Sequence, residues 1–217
     1  KDWGYKTYKY FKKKSQHNCF FVKNKSEFEK LIRNKNFKYI FILHWGHYIS
    51  PKVISKFNVI GFHASELPKF AGGSPIQNQI IRGIKKTHLT SYVMNEKLDE
   101  GLIINKRRLI LNGNLSDILD RCHLISIKMI DKILSLKNLK NLKKNYVVKK
   151  YKRLTQEENN IELYRGIKKI YDSIRMVDSV EYDKSYVKTK NNLKISFYSS
   201  RIIKNKIYCK AKIELTK

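Results

Sequence analysis

The stretch of sequence that decides the fold is residues 59–77, VIGFHASELPKFAGGSPIQ. It begins with an apolar run typical of a buried β-strand, and His63 stands where that run ends. The loop that follows is punctuated by two prolines and two glycines. Open α/β sheets place their ligand crevices at the carboxyl ends of their strands. The stretch therefore predicts an α/β sheet that presents a histidine to a ligand.

A carboxylate follows further along the chain. Asp99 stands in the turn formed by residues 98–101, directly before another apolar strand pattern. The length of chain between His63 and Asp99 fits one helix and one strand. We therefore expect the two side chains to lie at neighbouring strand ends and to face one pocket, within about 8 Å of each other.

The first half of the chain alternates between helical and extended patterns. Helices are expected over residues 5–13 and 51–57 and from Ser26, Pro75 and Leu115 onward, with Ser26 and Glu29 forming a capping box. Strands are expected over residues 19–22, 39–43, 59–62, 89–94 and 102–111. Strands separated by helices predict a Rossmann-like α/β fold, with a mostly parallel sheet and flanking helices.

Composition divides the chain into three parts. Residues 1–135 carry the alternating elements. Residues 136–153 form a basic linker with eight Lys or Arg and no acid. Residues 154–217 combine one helical pattern, over 161–174, with short alternating strands, which predicts a small C-terminal appendage of α+β, β-rich character.

Together, the two polar motifs resemble the catalytic domain of the 10-formyltetrahydrofolate-dependent formyltransferases. That family includes enzymes that formylate methionyl-tRNA, glycinamide ribonucleotide and nucleotide sugars. The resemblance rests on His-x-Ser-x-Leu-Pro at 63–68, Gly-Gly-Ser-Pro-Ile-Gln at 72–77 and Asp-x-Gly at 99–101, and it covers roughly residues 1–110. A weaker pair of stretches, residues 151–158 and 170–178, resembles the start of the accessory region of sugar-modifying and related members.

The resemblance implies a site and a cosubstrate, 10-formyltetrahydrofolate. It makes His63 and Asp99 the catalytic residues. The residues that it implies for cosubstrate binding are Trp45, Gly46, Tyr48, Glu100 and Gly101, and those for substrate binding are Ser65, Gly72, Gly73 and Gln77. In the family a β-strand precedes the equivalent of Trp3, so we expect this first strand to be missing from the sequence.

One position departs from the family's pattern. The usual triad reads Asn-x-His with a distant Asp, whereas residue 61 here is Gly. His63 could take or relay the proton of the attacking amine, or stabilise an oxyanion when protonated, and Asp99 would orient the imidazole. Gly61 leaves open which group polarises the formyl carbonyl.

The net charge of +29 favours polyanionic partners through counterion release and long-range attraction. The lysines are nevertheless spread along the chain among Asn, Ile and Tyr, as an AT-rich genome would also produce. The basic block at 136–153 fits a solvated linker, a strip facing tRNA or an approach path for a nucleotide diphosphate.

Three functions follow, in order of preference. Only 67 residues follow Lys150, which is short for the barrel of tRNA-acting relatives, so the first is formylation of a primary amine on a nucleotide-linked amino sugar. The second is methionyl-tRNA formylation. The third is a non-catalytic, basic nucleic-acid-binding relative, which Gly61 keeps open.

Several other classes are disfavoured. The three cysteines are scattered and have no Cys-x-x-Cys spacing, which favours a reducing cytoplasm over a zinc protein. His44 and His47 have no acidic or Cys partner at ligand spacing, so we expect no metal. No apolar run reaches the roughly 18 residues that a membrane span needs. A homo-oligomer is compatible with the sequence.

Overall fold

The computed structural model describes residues 2–14, 17–136, 139 and 148–216. Its first part consists of α1 (Asp2–Lys14), α2 (Lys25–Asn34), β1 (Tyr39–Leu43), α3 (Pro51–Lys56), β2 (Asn58–His63), β3 (Ala71–Gly72), α4 (Pro75–Ile80), β4 (Lys86–Val93), β5 (Leu102–Ile110) and α5 (Leu115–Ser135). Its second part consists of β6 (Lys150–Tyr151), two 3₁₀ turns (Glu157–Asn159 and Ile161–Leu163), α6 (Ile167–Arg175), β7 (Ser185–Lys188), β8 (Leu193–Ile203) and β9 (Lys206–Leu215).

The central sheet has four strands in the order β1-β2-β4-β5. Its α/β class is as predicted, but the sheet is mixed, because only β1 and β2 are parallel, whereas β4 is antiparallel to both β2 and β5. The alternation of strands and helices had predicted mostly parallel strands. Part of the difference arises at residues 94–101, where β4 passes into β5 through a turn without a helix, and a short connection of this kind joins antiparallel neighbours. The other part is the direction of β4 beside β2, which the chain reaches through α4.

The start of the chain differs from prediction at two places. Residues 19–22 belong to no strand of the described structure; instead, Phe21 packs its ring 5.2 Å from that of Tyr5. The cap of α2 is Asn24 rather than Ser26, and its side-chain oxygen accepts a 2.9 Å hydrogen bond from the Glu27 backbone N–H. Asn24 and Glu27 have the same three-residue spacing as Ser26 and Glu29, and Asn is at least as good a cap as Ser.

The α5 helix covers the sheet with the apolar face that its periodicity predicted. Leu115, Ile118, Met129 and Ile133 along this face are fully buried. Cys122 lies in the same row, and burial raises the pKa of its thiol to about 12. None of the described helices is long and apolar enough to cross a membrane.

The C-terminal part is anchored on the sheet domain through Arg175 at the end of α6. Its guanidinium donates to the carbonyl oxygens of Leu111, at 2.5 Å, and of Gly113, at 3.0 Å. Beyond it, β7, β8 and β9 form a separate antiparallel sheet, as the alternating pattern predicted. The helix expected over 161–174 is shorter, because Gly166 separates the second 3₁₀ turn from α6.

The predicted basic linker falls partly outside the described residues, namely at 137, 138 and 140–147. Its described end belongs to the fold, since β6 pairs in parallel with β3, with Tyr151 opposite Gly72. The linker therefore ends on the loop that follows His63.

Candidate active site

His63 is the last residue of β2, and it is 7% exposed. Its ring lies between two oxygen atoms. The Nε2 atom is 2.7 Å from the carbonyl oxygen of Phe70, in the loop that follows the strand. The Nδ1 atom is 3.5 Å from Oδ2 of Asp99. The structure thus brings together the two residues that the sequence expected at neighbouring strand ends.

Asp99 is held in place by a turn that requires glycine. A Cβ on Gly101 would lie 1.7 Å from the carbonyl oxygen of Val93, so no other residue fits there without moving the strand. The Asp99 carboxylate accepts one hydrogen bond from the Tyr92 hydroxyl and one from the Gly72 backbone N–H, both at 2.7 Å. In the Asp-x-Gly motif, the glycine is therefore required by the lack of space, and the aspartate supplies the carboxylate.

This geometry defines what the pair can do. Carbonyl and carboxylate oxygens only accept hydrogen bonds, so each of the two nitrogen atoms of the His63 ring faces an acceptor. The Asp99 carboxylate occupies the Nδ1 side, which leaves Nε2 as the ring atom that can reach a substrate. In this structure Nε2 is hydrogen-bonded to the Phe70 carbonyl oxygen, so a reacting group has to take the place of that oxygen as the hydrogen-bond partner of Nε2.

The residues implied for cosubstrate binding on the loop after β1 have different surroundings. Trp45 packs its ring 5.7 Å from that of Phe28 and lines a cavity of about 600 Å³ beside β1, whose lining includes neither His63 nor Asp99. Tyr48 is 70% exposed. Gly46 faces the guanidinium of Arg153, which a Cβ would approach to 3.6 Å. These assignments remain predictions.

Glu100 and Gly101, the other two residues implied for cosubstrate binding, have partners within the chain. The Glu100 carboxylate forms a 3.0 Å ion pair with Lys150, and Gly101 serves the turn described above. The Asp99 turn is thereby tied to the described end of the basic linker.

The residues implied for substrate binding also have internal partners. A Cβ on Gly72 would lie 2.4 Å from the Tyr151 carbonyl oxygen, and one on Gly73 would lie 2.5 Å from Cα of Arg153. The glycines do permit a close approach, but the backbone that approaches them is the chain's own.

The two polar residues of this set are enclosed as well. The Ser65 hydroxyl donates to the Lys69 carbonyl oxygen at 2.6 Å. Gln77 is buried and hydrogen-bonds the side chain of Tyr182, whose pKa is raised mainly by burial. A substrate contact by any of the four residues remains a prediction.

Sequence reasoning missed two parts of this site. One is Tyr92, which read only as an apolar strand residue; its pairing with Gly61 depends on strand register. The other is the group formed by residues 181 and 182 with His44, where Nε2 of His44 lies 2.7 Å from the Tyr182 hydroxyl. A contact over 138 residues leaves no local signal. Among the residues that the structure describes, no cluster of His, Cys, Asp or Glu could hold a metal ion.

Comparison with known proteins finds a family match for each of the two parts of the chain. Residues 6–125 match the family described as formyl transferase, and residues 156–214 match the C-terminal domain of methionyl-tRNA formyltransferase. The methionyl-tRNA formyltransferase of Buchnera aphidicola subsp. Schizaphis graminum is 32% identical over 127 residues, which are 56% of this chain and 38% of that protein. The one from subsp. Baizongia pistaciae is 28% identical over 196 residues, 83% of this chain and 57% of that protein. The chain thus spans about half the length of these curated relatives.

Among solved structures, a methionyl-tRNA formyltransferase from Clostridium thermocellum superposes with a TM-score of 0.92 at 32% identity, covering 100% of this chain and 96% of that one. A sugar N-formyltransferase from a Shewanella species has a TM-score of 0.60 at 16% identity, covering 77% of this chain and 72% of that one. HypX from Aquifex aeolicus in complex with tetrahydrofolic acid has a TM-score of 0.59 at 12% identity, covering 75% and 29%. The last two share the fold. The match over residues 6–125 takes in more than half of the chain, including both His63 and Asp99, and the chain therefore belongs to the formyltransferase family.

Proposed function

We propose that the protein transfers a formyl group from 10-formyltetrahydrofolate to the amino group of methionyl-tRNA. The observation that carries formyl transfer is the buried His63–Asp99 pair, at 3.5 Å, within a chain of the formyltransferase family. Buried ionisable side chains that face each other at a strand end are costly to keep, and such pairs concentrate at catalytic sites.

The chemistry assigns a role to each member of the pair. The amine nitrogen attacks the formyl carbon, which gives a tetrahedral intermediate with an oxyanion and a cationic nitrogen. The bond from the formyl carbon to N10 then breaks, N10 takes up a proton, and tetrahydrofolate leaves. His63 Nε2 takes the proton from the attacking nitrogen or donates to the oxyanion. Asp99 keeps Nδ1 oriented, so that Nε2 is the atom offered to the substrate.

The acceptor is the point on which this proposal differs from the first choice of the sequence analysis. A nucleotide-linked amino sugar was preferred there because the tail is short. The match of residues 156–214 to a methionyl-tRNA formyltransferase C-terminal domain favours tRNA instead, as does the similarity to the Clostridium thermocellum enzyme over the whole chain.

Charge supports the same acceptor. Between residues 185 and 216, the C-terminal sheet and its turns carry eight Lys or Arg and a single acid, Glu214. The basic residues are Lys188, Lys190, Lys194, Arg201, Lys204, Lys206, Lys210 and Lys212. A surface of this sign attracts the phosphate backbone of an RNA with little regard to sequence.

A second basic element lies against the site itself. Lys149, Lys150, Lys152 and Arg153 flank Tyr151, the residue that pairs with Gly72. Positive charge is therefore concentrated at two places, on the C-terminal sheet and at the rim of the His63 loop. An acceptor whose amine has to reach Nε2 while its phosphates stay bound fits this arrangement.

The test is a formyl-transfer assay of the full-length protein with 10-formyltetrahydrofolate. Initiator methionyl-tRNA is compared with a panel of nucleotide-linked amino sugars. We expect formylmethionyl-tRNA and a kcat/KM for tRNA at least about 100-fold above that for any sugar. A reversed ratio would restore the sugar acceptor, and saturable tRNA binding without turnover of any substrate would support the non-catalytic relative.

A further inference from the structure

Tyr92 lies in a space that two glycines leave open. In the antiparallel pair of β2 and β4 it stands directly opposite Gly61. A Cβ on Gly61 would lie 2.6 Å from Cζ of the Tyr92 ring, and one on Gly101 would lie 2.8 Å from its Cδ2. The ring is 4% exposed. Any side chain at either glycine would displace it, so its position depends on both.

The hydroxyl at the end of this ring meets the reacting pair. A buried phenol hydroxyl needs a hydrogen-bond partner, and that of Tyr92 donates to Oδ1 of Asp99 at 2.7 Å. The other carboxylate oxygen, Oδ2, accepts from the Gly72 N–H at 2.7 Å and faces His63 Nδ1 at 3.5 Å. Two donors from separate segments thus fix the rotation of the carboxylate.

We propose that Tyr92 is a positioning residue that holds the Asp99 carboxylate in register with the His63 ring. Without the hydroxyl, Gly72 alone would hold the carboxylate, by one oxygen, and Oδ1 would remain buried without this donor. The carboxylate could then turn about its last torsion, and the His63 ring would lose its fixed orientation. The catalytic consequence rests on the proposed formyl transfer, whereas the orientation of the ring does not.

The kinetic test is Tyr92→Phe, which keeps the ring between the glycines and removes only the hydroxyl. We expect kcat to fall roughly 10- to 100-fold, the rate factor that corresponds to one hydrogen bond to a charged group. KM for 10-formyltetrahydrofolate and for methionyl-tRNA should stay the same, because the hydroxyl is buried and its hydrogen bond goes to Asp99. An unchanged kcat, or a loss confined to KM, overturns the proposal.

The matched control is Tyr164→Phe, which also removes a phenol hydroxyl with a 2.7 Å hydrogen bond, in this case to the Glu158 carbonyl oxygen. It should lose a similar amount of thermal stability without the fall in kcat. If both variants lose kcat equally, the effect of Tyr92 is merely structural and the proposal fails.

A second measurement does not depend on activity. Long-range ¹H–¹⁵N spectra report which nitrogens of the His63 ring carry protons, and we expect one ring state in the wild type but a mixture in Tyr92→Phe. If the wild type transfers no formyl group to any acceptor and the spectra still differ, the proposed function fails and the positioning role stands. If the spectra are identical, the positioning role fails. Should Tyr92→Phe not fold, Gly61→Ala, which displaces the ring, is expected to give the same spectral mixture, and a single state there would refute the proposal.

Discussion

The loop around His63 and the β8–β9 hairpin show opposite ways of using polar residues. Around His63 the polar groups are buried, their partners belong to the chain, and glycines at 61, 72, 73 and 101 admit backbone or ring atoms at distances that a Cβ would forbid. Along β9 nearly every side chain is exposed, and most of the charges point to solvent. A substitution around His63 changes the geometry of buried contacts, whereas a substitution of an exposed lysine on β9 changes mainly the surface charge. Catalysis and acceptor binding should therefore respond to separate sets of substitutions.

The largest effect is expected from the reacting pair itself. His63→Ala and Asp99→Asn should each lower kcat roughly 10²-fold or more, since a positioned general acid or base contributes about 10²- to 10⁴-fold. The tRNA affinity should remain near that of the wild type, whereas thermal stability should fall by about 1–3 kcal/mol, because each substitution leaves buried polar partners unsatisfied. Formyl-transfer kinetics beside a filter-binding assay separate the two quantities. A wild-type rate in His63→Ala would refute the mechanism.

A large effect is also expected when a side chain is added at residue 61. From the sequence alone, Gly61→Asn would restore the family's Asn and could raise activity. The structure argues against this expectation, because the new Cβ would lie 2.6 Å from the Tyr92 ring. Overpacking a buried contact costs about 1–3 kcal/mol. We therefore expect lower thermal stability and a kcat reduced at least about tenfold.

A double variant tests whether the Tyr92 ring causes the loss of stability in Gly61→Asn. In Tyr92→Ala the ring is absent, and adding Gly61→Asn to that background should cost much less stability than in the wild type, because the two sites are in contact and couple. Equal costs in both backgrounds would show that the ring is not what residue 61 meets.

The second region should respond in binding rather than in turnover. Lys206→Gln and Lys210→Gln, both at exposed positions of β9, should weaken tRNA binding and together lower the slope of log K against log salt by up to about 2. The kcat at saturating tRNA should stay unchanged. Lys30→Gln on α2 is the control for general loss of charge. If it lowers the slope as much as a β9 substitution, the C-terminal sheet is not a specific RNA surface.

The surroundings of His63 also show how far the sequence could predict the structure. Strand β2 and helix α5 follow from periodicity, and the meeting of His63 with Asp99 follows from where strands end. Periodicity does not encode strand direction, so the antiparallel return of β4 into β5 was missed. The pairing of Tyr92 with Gly61 depends on register between strands, and the packing of Arg153 on Gly73 depends on a contact between distant parts of the chain. Local patterns therefore identified the reacting residues but not the groups that hold them.

The last prediction compares a thiol of the α5 helix, which packs on the sheet, with a thiol of the β8–β9 hairpin. Cys122 is buried on α5, and its raised pKa of about 12 leaves almost no thiolate at pH 8. Partial burial also raises the pKa of the Cys209 thiol, but this residue is exposed on β9. The thiolate is the reactive form, so burial and protonation both protect Cys122. In the native protein a maleimide should label Cys209 much faster than Cys122, and in denaturant the two rates should become similar. Peptide mapping by mass spectrometry after timed labelling gives both rates, with Cys209→Ser as the control for site assignment. Equal native rates would mean that the α5 face opens readily and that the core between α5 and the sheet is not rigidly packed.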